Sequence, residues 1–246
     1  MRNIKLTIEY DGTRYNGWQS QPGGLTIQDM LEAAIYKLTN EKAKVTGAGR
    51  TDAGVHAYGQ VANFYTASSI PAGKFSFALN TMLPGDIVVT KSEEVSLDFH
   101  ARFSAKGKKY EYLIYNSIHP PALLKDRAWH VFYNLDVEAM NEAALHLAGT
   151  HDFAGFAARD PSRPGLNTIR TIREVSVERI SNIIRISISG DGFLYNMARI
   201  ITGTLVDIGR GKMEAGRIKS IIDKRDRKLA GMTAPPQGLY LVEVYY

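Results

Sequence analysis

The sequence predicts an α+β protein of two pseudo-symmetric ferredoxin-like halves, each running β-α-β-β-α-β with an antiparallel sheet. Three observations lead there. Stretches of period-two alternation recur along the chain, stripes of helical period separate them, and the element order of residues 1–105 returns in residues 106–246. No sequence identity links the halves; only the order does.

In the first half, "IKLTIEY" (4–10) alternates Ile4, Leu6, Ile8 and Tyr10, the pattern of a half-buried strand. Thr26, with Asp29 three residues on, resembles a capping box, and Ile27, Met30, Leu31, Ala34, Ile35 and Leu38 make one helical face. A short strand near 42–46 and a second at "QVANFYT" (60–66) flank a glycine-rich loop. Phe75, Ala78, Leu79 and Met82 mark a second helix, ended by "PGD", and "IVVTKSEEVS" (87–96) completes the half. The boundary falls in "SAKGKK" (104–109). The second half begins with the strand "KKYEYLIYN" (108–116) and continues with a helix marked by Val137, Met140, Ala144 and Leu147. Two strands, 171–180 and 183–190, meet at Ser181-Asn182. Residues 193–208 read as the longest helix, a short helix lies near 214–223, and "GLYLVEVYY" is the last strand.

Composition narrows the function. Among 246 residues, 44% are hydrophobic and 22% charged, enough for an ordinary core. There is no cysteine, which excludes disulfides and thiolate metal sites. The amino terminus has no apolar signal region and no stretch approaches a membrane span, so a cytoplasmic protein without a membrane partner is expected. A net charge of +5 is compatible with a polyanionic partner.

The loop "GAGRTDAGVHA" (47–57) places Arg50, Asp52 and His56 among small residues. It starts like a dinucleotide-binding fingerprint but has Asp52 where the third glycine belongs, and it opens no apolar helix. The chain also lacks a P-loop, and its six histidines show no metal-ligand spacing; Glu142 and His146 read as a helix-surface pair. Two readings of the loop stand. In one it is a hairpin turn with Asp52 paired to Arg50. In the other Asp52 is a nucleophilic carboxylate, kept ionised by a neighbouring guanidinium, in a loop small enough to receive a flat ring. The loop supplies no second acid of the kind a glycosidase needs.

Three further stretches carry chemistry. Lys106, Lys108 and Lys109 precede Tyr110, Tyr112 and Tyr115, and basic residues interleaved with aromatics suit phosphate contact and base stacking. Strand alternation puts Tyr110 and Tyr112 on one face, where they serve equally well as core residues. Arg199 lies opposite the apolar stripe of its helix, either solvated or available to a site. "ARDPSRPGLN" (158–167), with Arg159 and Arg163, is either a plain surface loop or one able to close over a phosphate backbone.

These residues carry a resemblance. "GRTDAGVHA", "EYDGTRYNGWQSQ", "FHARFSA" (99–105), "HDFAGF" (151–156), "GFLYNMARIITGTL" (192–205) and "APPQGLYL" (234–241) resemble, in the same order, the blocks of the tRNA pseudouridine synthase A family. Together they span nearly the whole chain. The departures are Lys108 and Lys109, where the family commonly has arginine, and Asn16, where it often has histidine.

The resemblance implies an isomerase that converts uridine to pseudouridine at positions 38, 39 and 40 of the tRNA anticodon stem-loop, without cofactor or metal. It implies Asp52 as the nucleophile or base and Arg199 as its ionic partner. Tyr110 would stack on the uracil and take part in proton transfer at C5. Arg50 would contact the flipped nucleotide, and Leu239 would be an apolar wall. It also implies two ferredoxin-like halves joined around a central active-site cleft, and a homodimer. The competing class, a non-catalytic RNA-binding protein with paired sheets of the RNA-recognition type, would carry the RNP1 pattern, which no stretch matches.

Overall fold

A strand that buries every second side chain needs a partner on each edge, and β1 (Arg2–Tyr10) has two. Ile4, Leu6, Ile8 and Tyr10 are buried, and Glu9 is exposed. The computed structural model describes residues 1–159, 165 and 167–246. They divide into two compact units, Met1–Lys106 with Tyr240–Tyr246, and Gly107–Leu239.

In the first unit β1 lies antiparallel between β3 (His56–Thr66) and β4 (Ile87–Val95), with Ile4 opposite Phe64 and Leu6 opposite Ala62. The far edge of β3 is shared. β2 (Thr46–Gly47) pairs with Ala62 and Asn63, and β10 (Leu239–Tyr245) runs parallel to it at His56 and Ala57. Helix α1 (Ile27–Thr39) buries Ile27, Leu31, Ala34 and Ile35. Its amino terminus is capped as expected: Thr26 Oγ1 accepts from Asp29 N at 3.2 Å and donates to Asp29 Oδ2 at 2.6 Å. Asn40, at φ 58°, ends it by donating to Tyr36 O. The short α2 (Phe75–Asn80) inserts Phe75 edge-on against Phe64, 5.5 Å between centroids.

In the second unit β5 (Gly107–Asn116), β9 (Ile183–Gly190), β8 (Ile169–Ile180) and β7 (Gly149–Asp152) follow one another antiparallel, and β6 (Trp129–Val131) runs parallel beside β5. Tyr110, Tyr112 and Ile114 sit opposite Ile188, Ile186 and Ile184 and are buried together. Helix α3 (Val137–Leu145) starts at Asp136, whose carboxylate accepts from Ala139 N at 3.0 Å, and packs on β8 and on α4 (Met197–Gly209). Helix α5 (Arg217–Lys224) buries Ile218 and Ile221.

The structure corrects the sequence reading in four places. The last strand, assigned by sequence to the second half (106–246), groups with the first unit from Tyr240 on, because its backbone pairs with His56 and Ala57. The longest helix begins at Met197, since Asn196 stands in the left-handed region at φ 60° and breaks the turn. β3 reaches back to His56, because β10 offers it a partner there, whereas the strand near 42–46 shrinks to Thr46–Gly47. Two short strands, β6 and β7, were not expected; at three and four residues they are too brief for a periodic signal. The loop reading over 158–167, Arg163 included, falls largely outside the described residues. Among those described, no helix is long and apolar enough to cross a membrane.

Candidate functional site

The glycine-rich loop of the first unit is held at almost every residue. Ala48 N–H donates to Val61 O at 2.7 Å, and the fully buried Gln60 donates through Nε2 to Gly49 O at 2.9 Å. Thr51 is fixed at both ends. Its hydroxyl bonds the buried Tyr10 hydroxyl at 2.8 Å, and its carbonyl accepts from Trp18 N–H at 3.1 Å. Burial drives the Tyr10 hydroxyl above the ordinary phenol range, so it stays protonated, while its bonds to Thr51 and Gln60 work against that shift. Val55 N–H returns to Asp52 O at 3.1 Å, closing a turn in which Gly54 takes φ +77°. Positive φ at the third turn position is what glycine supplies without strain. Gly54 N–H itself donates to Tyr15 O at 3.3 Å.

Two glycines outside the loop let neighbouring backbone reach it. A Cβ on Gly17 would overlap the Thr51 carbonyl and one on Gly12 the Val55 carbonyl. Gly12 N–H donates to Nδ1 of the buried His56 at 3.1 Å, and Asp11 Oδ1 lies 3.2 Å from the same nitrogen. The His56 ring stacks on Tyr240 at 4.8 Å, and Tyr240 on Tyr58 at 5.0 Å. The loop is therefore a rigid mount. Asp52 rides on it half-buried, and Arg50 is exposed. The loop is a turn, as the plainer reading had it, and also a scaffold that leaves one carboxylate in a fixed place.

The second unit holds the other three candidate residues. Tyr110 is 8% exposed on β5, with Phe193 edge-on at 4.8 Å. Arg199, in the first turn of α4, is half-buried on a helix otherwise buried nearly all round. Its Nε donates to Ala234 O at 2.8 Å and its Nη1 to Asn196 Oδ1 at 2.9 Å, while its own carbonyl accepts from Ala234 N–H at 3.0 Å. Leu239 is 7% exposed at the end of the same 234–239 segment. The structure thus brings Arg50 and Asp52 together on one loop of the first unit, and Tyr110, Arg199 and Leu239 within the second. Among the described residues no cluster of His, Asp or Glu could hold a metal ion.

Sequence reasoning overlooked the supports. Tyr10, Gly17, Trp18 and Gln60 hold the loop, and Tyr112 and Ala234 stand behind Arg199. Some signal was available: Gly17 and Trp18 lie in "YNGWQSQ", and Tyr112 shares the face of Tyr110.

Comparison with known proteins adds a family. A family model described as tRNA pseudouridine synthase matches residues 6–104 and 143–246. The chain is 58% identical over 246 residues to a tRNA pseudouridine synthase A of Acetivibrio thermocellus, covering 100% of both chains. It is 52% identical over 250 residues to that of Ruminiclostridium cellulolyticum and 48% identical over 246 to that of a Thermoanaerobacter species, again covering 100% of both.

Proposed function

The chain belongs to the tRNA pseudouridine synthase family, and on that premise we propose that it isomerises uridine to pseudouridine at positions 38, 39 and 40 of the tRNA anticodon stem-loop. The observation that carries this reading is the end-to-end match to relatives of that name at 48–58% identity.

The reaction breaks the N1–C1′ bond of uridine and joins C1′ to C5. The C5 proton leaves to solvent and N1 regains one, so the product is an isomer and no cofactor is consumed. A base inside a stem cannot turn on its own sugar, so the nucleotide is first flipped out, at a cost of a few kcal/mol. Asp52 starts the isomerisation as nucleophile or base. Arg199 is the ionic partner of Asp52. Tyr110 stacks on the uracil and serves proton transfer at C5, Leu239 is an apolar wall, and Arg50 contacts the flipped nucleotide. The rigid backbone around Thr51 and Asp52 supports this assignment, because a nucleophile is effective only where the reacting atoms meet in a fixed geometry. The order β1, α1, β2, β3, α2, β4 supports a ferredoxin-like first half. A homodimer and a cytoplasmic location complete the proposal.

The test is release of tritium from tRNA labelled at uracil C5. The unaltered protein is expected to release it and Asp52→Asn to release none. Release by Asp52→Asn at the full rate would sink the role of Asp52. A folded protein that binds tRNA and releases nothing would be a binding protein instead.

A further inference from the structure

The second unit contains a device that the family reading does not use. The segment from Ala234 to Leu239 presents two consecutive carbonyls, and each has a charged or polar side chain on it. Ala234 O accepts from Arg199 Nε at 2.8 Å, and Pro235 O accepts from the Tyr112 hydroxyl at 2.7 Å. The two acceptors lie in consecutive peptide planes that meet at Pro235 Cα, where the ring locks φ and leaves ψ as the one torsion between them. Pro235 (φ −56°, ψ 151°) and Pro236 after it restrict the backbone further.

Tyr112 itself has little freedom. It is 1% exposed on β5, between Tyr110 and Ile114 on the same face. Its ring lies flush with the backbone at Gly238, where an added Cβ would stand 2.5 Å from Cε1. Burial raises the hydroxyl far above the usual phenol range, while the Arg199 charge works against the shift. The hydroxyl thus stays protonated and is the donor in its bond to Pro235 O.

We infer that Tyr112 is a positioning residue for Arg199: its hydroxyl fixes the Pro235 carbonyl and, through the stiff Pro235 backbone, the adjacent Ala234 carbonyl that holds the guanidinium. Asn196 holds the other edge of the guanidinium, from a left-handed backbone position at φ 60°. Arg199 is therefore braced by three groups, none of which touches substrate in the proposed reaction. This inference rests on the role proposed for Arg199, so its test has one readout that needs no reaction.

The variant is Tyr112→Phe, which keeps the ring and removes only the hydroxyl. First, the Nε–H resonance of Arg199 is followed in protein labelled with nitrogen-15 arginine, assigned by its loss in Arg199→Lys. It is expected to shift or broaden in Tyr112→Phe. Second, turnover of C5-labelled tRNA is expected to fall about tenfold while the tRNA Kd stays within about twofold. An Arg199 Nε–H signal that does not move overturns the inference, whether or not the protein turns over tRNA. So does full turnover in Tyr112→Phe, or weakened binding with kcat intact. Absence of turnover in the unaltered protein together with a shifted signal would instead fail the reading of the reaction and leave the positioning role standing.

Discussion

At Gly17 the backbone stands at φ +89°, and a Cβ there would overlap the carbonyl of Thr51 and press on Asp52. Such a position punishes a single methyl group twice, through left-handed strain and through overpacking. Gly17→Ala is expected to lose about 1–3 kcal/mol of stability and, because the displaced atoms carry Asp52, most of its turnover. Gly73→Ala, with nothing within 4 Å of the added carbon, is the control and is expected to melt unchanged. Equal urea midpoints for the two variants would contradict the close approach. At this scale the sequence showed which residues were unusual, Asp52 and Arg199 among them. It did not show what they lean on, since Tyr10 and Thr51 are 41 positions apart and meet only through folding.

Elements were legible where they carry their own signals. Thr26 and Asp29 announce the start of α1 in the sequence, and the two bonds between them are present. Thr26→Ala is expected to cost about 1 kcal/mol, within a range of about 0.5–2; Thr26→Ser keeps the oxygen and should restore most of it. A calorimetric melt that fails to separate the two would show that burial of Thr26, rather than its cap, does the stabilising. α4 behaved differently. Its apolar stripe was read from Leu194 on, yet the helix begins at Met197, because the left-handed Asn196 that ends the preceding turn leaves no periodic trace. β3 starts four residues before the expected Gln60, for strand length depends on whether an edge finds a partner, and β10 supplies one from Tyr240, far along the chain from His56.

At the scale of the molecule, four tyrosines among the described residues share one electrostatic feature. Tyr10, Tyr15, Tyr112 and Tyr246 all have their ionisation pushed upward, burial being the leading cause; Tyr15, which also donates to Asp86 Oδ1 at 2.7 Å, is pushed up to about 12. In the unfolded chain each ionises near the ordinary phenol value of about 10. As pH rises past that value the unfolded state loses protons that the folded state keeps, so the linkage sign favours unfolding. Stability from this source is intact below pH of about 10 and is lost above it. Urea midpoints measured between pH 8 and 11 are expected to fall only at the top of that range, and a Tyr15→Phe variant should fall less steeply there. A flat profile would count against four protonated, buried phenols.

The sequence by itself determined the longer strands and helices, the faces they bury and the lack of thiol chemistry. These rest on local rules: period, caps, turns and residue chemistry. The tertiary structure alone decided that the final strand joins the first unit, that Thr51 is clamped between Tyr10 and Trp18, and that Tyr112 and Arg199 bond consecutive carbonyls. Each of these depends on a hydrogen bond or a close backbone approach between residues far apart in the chain. A linear pattern holds no record of such distances, because they are fixed only when the apolar faces have packed.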